Sequence, residues 1–197
     1  QNRTGSLTVT DDRGAATTTI WELRILERTF NVTWRHQTMK VTWDGYLKQG
    51  ESHEINHIPG EGGRILEFNG TLVLDRDFVP AGLPPEDNFS MLLQIPESSW
   101  TAKTKTVQHN ITEASTGSIE RTNLNPYSTE TQTYTADSEE TLLSTLIAEP
   151  GARFGQGDWI WTITADESDP DLPIDGVDPD EGNNWTLEVE FVVLIPI

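Results

Sequence analysis

With 197 residues, 32 acidic side chains against 13 basic ones and a net charge of −19, the chain cannot assemble the basic surface that nucleic acid or an anionic membrane requires. It holds no cysteine, which removes disulfides, thiolate metal sites and Cys nucleophiles. The length suits one domain burying roughly 70% of its unfolded surface, and seven Trp and six Phe supply bulk for a core.

Beginning at Gln1 rather than Met and lacking an apolar leader, the chain is expected to be a mature product whose signal peptide has been removed. No apolar run is long enough to span a bilayer. Gly5–Thr10 is a short β-prone segment, closed by the turn signal Asp11-Asp12-Arg13-Gly14. In TIWELRIL, Trp21, Leu23 and Ile25 share one phase and Glu22 and Arg24 the other. A short strand is expected near 29–34. In TMKVTWDGY, Met39, Val41 and Trp43 alternate with Lys40 and Thr42, and Asp44-Gly45 signals a turn. After the breaker Pro59–Gly63, RILEFNGTLVLD places Leu66, Phe68, Gly70, Leu72 and Leu74 opposite Glu67, Asn69, Thr71 and Asp75.

Beyond the Pro-rich stretch 80–85, strands are expected near 90–95, 99–112 and 129–136, with the Thr-, Ser- and Asn-rich segment 113–136 read as a long exposed hairpin or loop. Asp137-Ser138-Glu139-Glu140 opens a short helix near 138–148, ended by Pro150-Gly151. Trp159, Trp161 and Ile163 then alternate with Thr162 and Thr164, and Leu187, Val189 and Phe191 with Glu188 and Glu190. Period two throughout predicts an all-β protein: an antiparallel β-sandwich of jelly-roll or immunoglobulin-like type with one short helix. The expected organisation is an N-terminal strand over 1–12 and a single sandwich domain over 13–197. Trp21, Trp43, Trp159 and Trp161 sit in apolar phases and are assigned to the core. Trp34, Trp100 and Trp185 are left open between packing and sugar stacking.

Six of the ten asparagines stand in N-x-S/T: Asn2, Asn31, Asn69, Asn88, Asn110 and Asn184. Chance would give about two in a chain this rich in Ser and Thr. Asn31 and Asn69 fall on polar phases, where an N-linked glycan points to solvent. The pattern predicts an extracellular, N-glycosylated cell-surface protein, and the lack of disulfides suits an archaeal exterior better than an animal one.

The acidic loop DESDPDLPIDGVDPDEG, residues 166–182, crowds carboxylates that repel one another unless cations neutralise them. Asp169, Asp171, Asp175, Asp178, Asp180 and Glu181 are candidate calcium ligands, because calcium accepts six to eight oxygens in irregular geometry. The competing reading is a solvated loop suited to high salt. His53-Glu54-Ile55-Asn56-His57 has zincin spacing, but Gly50 and Pro59 leave no room for the helix that spacing needs. The strand carboxylates Glu22, Glu67, Glu188 and Glu190 all lie on polar phases and suggest no acid–base pair. The chain is expected to have no enzymatic activity and to require no cofactor.

From Phe191 to Ile197 both strand faces are apolar, which needs cover on both sides, from the protein itself or from a neighbour. Together, Thr4–Thr10, Leu187–Ile197 and the acidic loop give the chain a layout that resembles secreted archaeal β-sandwich filament subunits (bundling pili, threads and cannulae) and the related biofilm fibres of bacilli. The resemblance implies polymerisation by donor-strand complementation. The donor would be Thr4, Gly5, Ser6, Leu7, Thr8, Val9 and Thr10, the C-terminal strand would lie inside the acceptor sandwich, and calcium could serve at subunit contacts. The partner would be further copies of the chain. The alternative is a non-polymerising adhesin, surface-layer or carbohydrate-binding module.

Overall fold

A computed structural model describes residues 2–24, 26–59, 62–76, 87–109, 112–125, 127–149, 152–168 and 182–197. The fold is an all-β sandwich of antiparallel sheets with one short helix. In chain order the elements are β1 (Asn2–Thr10), β2 (Ala16–Arg24), β3 (Arg28–Val32), β4 (Trp34–Lys48), β5 (Ser52–His57), β6 (Arg64–Leu74), β7 (Asn88–Ile95), β8 (Trp100–Lys105), β9 (Thr116–Arg121), β10 (Gln132–Ala136), α1 (Glu139–Ala148), β11 (Trp159–Glu167) and β12 (Gly182–Pro196).

Two four-stranded sheets, ordered β4-β12-β6-β9 and β5-β11-β7-β8, face each other. The alternating apolar phases read from sequence meet between them: Phe68, Leu72, Leu187, Val189 and Phe191 from one sheet pack on Met91, Leu93, Trp159, Trp161 and Ile163 from the other. Gly70 is small for a reason. A Cβ there would lie 2.3 Å from the Trp161 ring, so the glycine makes room for an indole reaching across from the facing sheet.

The C-terminal strand answers its own need for cover. β12 is central, paired along fifteen residues with β4 and with β6 on its other side. Its register to β6 shifts between Val192 and Val193. The bulge leaves Ile65 in the sandwich core and sends Leu66 to the outside. There Leu66 joins Leu194, Val32, Trp34, Leu142 and Leu146 in a second, smaller core beneath α1 and the β3–β10 ribbon. Arg64, 1% exposed, pins this layer to the sandwich. It donates to the Leu146 carbonyl at 3.2 Å, pairs with Glu149, and lays its guanidinium 3.9 Å from the Tyr127 ring centroid. The helix begins as expected: Ser138 is the N-cap and accepts from the Thr141 N–H at 3.1 Å.

Three sequence expectations need correction. Asp44-Gly45, expected to turn the chain, lies inside β4, which runs unbroken from Trp34 to Lys48 and stays paired with β12 there. The segment 113–136 contains an edge strand of the main sandwich, β9, as well as β10. Trp21, assigned to the core, is 52% exposed.

Candidate functional site

The N-terminal β1 pairs with β2 over nine residue pairs from Asn2↔Arg24 to Thr10↔Ala16. The turn between them is tightly made: Asp11 Oδ1 accepts from the N–H groups of Arg13 at 2.9 Å and Ala15 at 2.8 Å, and Gly14 takes φ +85°. Among the described residues, neither strand packs substantially against another strand or the helix. The expected donor strand Thr4–Thr10 is thus half of a two-stranded ribbon, and Trp21 and Leu23 belong to the other half.

The register sorts the ribbon into two faces. One carries Gly5/Trp21, Leu7/Thr19, Val9/Thr17 and Arg3/Leu23. The other carries Thr4/Glu22, Ser6/Ile20 and Thr8/Thr18, with a hydroxyl pair Thr8–Thr18 at 2.8 Å. The Trp21 indole lies across Gly5, where a Cβ would be 2.2 Å from the ring. Six of the ten large apolar side chains left exposed among the described residues fall in this region: Leu7, Val9, Ile20, Trp21, Leu23 and Leu26. An isolated two-stranded ribbon is marginal in water, and a contiguous exposed apolar face marks an interaction surface.

The sandwich itself is unevenly finished. On one side β8 and β9 draw together through the Val107↔Thr116 bridge, with backbone hydrogen bonds of 2.9 and 3.1 Å. On the other side β4 and β5 end their sheets, joined through the turn at Gln49–Glu51. Along β4 the inward row Met39, Val41 and Trp43 is only half-buried. His57, at the end of β5, packs 4.9 Å from Trp43, 6.1 Å from Trp159 and 6.5 Å from Phe191 between ring centroids. Both its ring nitrogens are buried with no hydrogen-bond partner among the described residues, and this burial lowers its pKa to about 4.

The other candidate sites distribute as follows. Asn31, Asn69 and Asn184 are exposed on β3, β6 and β12. Asn31 accepts from the Thr133 hydroxyl at 3.0 Å, and Asn184 donates to Asp75 at 3.2 Å. Asn88 is half-buried at the start of β7, with its Oδ1 enclosed. Asn2 lies on β1; its side chain and Asn110 lie outside the described residues, as do all six candidate calcium ligands, Asp169, Asp171, Asp175, Asp178, Asp180 and Glu181. Among the described residues no group of three or more His, Asp or Glu could hold a metal ion. His53 and His57 share a strand four residues apart, a separation of about 13 Å that one ion cannot bridge. Glu67, Glu188 and Glu190 meet Glu120, which the sequence reading did not single out, on the wet face around Asn69; Glu22 stands apart on the ribbon. Glu188 pairs with Lys40 at 2.6 Å.

Compared with known protein families and with curated proteins, the sequence matches none. No helix among the described residues is long and apolar enough to cross a membrane.

Proposed function

We propose that the protein is a structural subunit of an extracellular, N-glycosylated filament or surface sheath. Copies join when the N-terminal region of one subunit adds to the sandwich of the next. One observation carries the reading: the β1–β2 ribbon displays Leu7, Val9, Trp21 and Leu23 on one face while its own sandwich leaves them uncovered. The donor is the whole ribbon rather than a single strand, because the Asp11 turn holds β1 against β2. Such a contact joins different surfaces of successive copies, and a head-to-tail contact that does not close on itself makes a fibre. Exposed Asn31, Asn69 and Asn184 are the sequons best placed to carry glycans. The acidic loop supplies a cation site at subunit contacts.

Negative-stain electron microscopy of the full chain, with calcium and then with chelator, tests this. Fibres are expected, and the double substitution Leu7→Ser, Trp21→Ser should abolish them without changing the melting temperature. Fibres indifferent to chelator would remove the cation role alone. Monodisperse particles in every condition would defeat the filament reading and favour a non-polymerising surface module.

A further inference from the structure

Resting on the filament reading, we infer that the acceptor for the incoming ribbon is the outer edge of β4, which pairs with no strand but β12 among the described residues, with the half-covered row Met39, Val41 and Trp43 beneath it. Among the described residues the two four-stranded sheets have four edge strands that compete for this role. β5, β8 and β9 each have six residues, and β8 and β9 close on one another. β4 has fifteen, so it offers a nine-residue ribbon strand a full ladder with room to spare. Natural sheets blunt exposed edges with charges, prolines or bulges. β4 has no proline, its ladder to β12 runs without a register shift, and from His36 to Trp43 its one Lys or acidic side chain, Lys40, is held by Glu188.

Charge favours the same pairing. The ribbon balances Arg3, Arg13 and Arg24 against Asp11, Asp12 and Glu22, so it is neutral within a chain of net −19. β4 sets Arg35, Lys40 and Lys48 against Asp44, a net charge of +2. These are two surfaces on which copies of an acidic protein meet with little repulsion. No sequon falls on β4 or β5, and the one on the ribbon, Asn2, pairs with Arg24 at the end away from the Asp11 turn. Shape completes the case. Added to β4 with its apolar face inward, the ribbon covers the open side of the core beside Trp43 and His57. Its Thr and Ser face then continues the wet face formed by Thr38, Lys40 and Thr42.

The ribbon does not reach this edge in its own subunit. Among the described residues neither β1 nor β2 packs substantially against β4, and the chain from Arg24 to Arg28 spans at most about 14 Å, while β3 is locked to β10 and runs into β4 through Thr33 alone. The occupant is therefore a second copy.

The absence of cysteine allows a clean test. One full-length population carries Ser6→Cys on the ribbon, and a second carries Thr42→Cys on β4, Thr101→Cys on β8 or Ser118→Cys on β9, all exposed positions. Equimolar mixtures are treated with a short bismaleimide and read on a denaturing gel, with fibres counted in parallel. The β4 mixture should give on the order of tenfold more mixed dimer than the β8 and β9 mixtures, because docking raises the local thiol concentration far above that in bulk. Fibres whose cross-links favour Thr101 or Ser118, or spread evenly, would overturn the β4 acceptor while leaving the filament reading intact. Absence of both fibres and cross-links would overturn the filament reading itself.

Discussion

The ribbon and the C-terminal strand are written in the same alternating code, yet they meet opposite fates. On β12, Leu187, Val189, Phe191 and Val193 lose all or nearly all contact with water, and Leu194 is covered from the other side by α1 and β3. On the ribbon, Leu7, Val9, Trp21 and Leu23 remain more than half exposed. Even the local device is shared. Trp185 lies opposite Gly45 on β4 as Trp21 lies opposite Gly5, and each indole fills the space above its glycine. Alternation therefore specifies that a face is apolar, while topology decides who covers it. β12 is covered by its own sandwich, and the ribbon presents a face that its own domain does not use.

The sharpest way to break this contrast is to truncate one indole in each region. Trp161→Ala should cost about 3–5 kcal/mol in chemical denaturation, whereas Trp21→Ala in the unassembled protein should stay within about 0.5 kcal/mol. Equal losses would mean the ribbon packs on the sandwich in solution. Adding a methyl group gives a finer comparison. Gly70→Ala forces the Trp161 ring to move and should destabilise by about 2 kcal/mol. Gly5→Ala should leave the sandwich melting temperature unchanged and alter only the ribbon's circular dichroism.

Acid offers a third lever, confined to the sandwich. His57 titrates near 4 in the fold against an ordinary value of 6.5, because its buried site disfavours the imidazolium. The unfolded chain therefore takes up this proton first. Stability is complete above about pH 6.5, declines as the pH falls from there towards about 4, and levels off below for this group. The loss should be on the order of 2 kcal/mol once the ring's partial exposure is allowed for. Urea midpoints measured across that window should show the slope in the parent and lose it in His57→Leu. The smallest expected effect is at the helix start, where Ser138→Ala removes the cap on Thr141 and should cost about 1 kcal/mol. Its signature is local: hydrogen exchange should rise in α1 and leave β12 and the ribbon unaffected.

Much of this was legible in the residues. The sandwich, the buried face of β12 and the position of α1 follow from period-two runs and from the Ser138 cap. β9 was hidden because an edge strand needs only Gly117 and Ile119 on its inward side, so the rest of its sequence reads as loop. The ribbon was half legible. Its turn and its first strand stand out, but Trp21 has the same phase relationships as Trp161, and nothing local says that one finds a facing sheet and the other does not. The exposure of Asn31 and Asn69 followed from phase. The β4 edge had a signal that went unread: its inward row runs on through Asp44-Gly45, from Met39, Val41 and Trp43 past Gly45 to Leu47, so the strand does not stop where a turn was expected. His57 was read only through its spacing from His53. The box formed by Trp43, Trp159 and Phe191 depends on contacts between sheets, which no linear pattern encodes.

The junction at Thr33 has a mechanical consequence. β3 passes into β4 through that single residue, so the strand proposed to receive a neighbour and the strand that leads to the chain's own ribbon form one almost uninterrupted stretch of backbone. Tension along a row of subunits would enter at β4, run through β3 and leave by the ribbon, largely bypassing the packed interior. Such a thread would carry load on covalent bonds within each subunit and on strand ladders between them. Its sandwiches would hang from that line as folded, sugar-bearing beads, and a pull too weak to part the ladders would leave them intact.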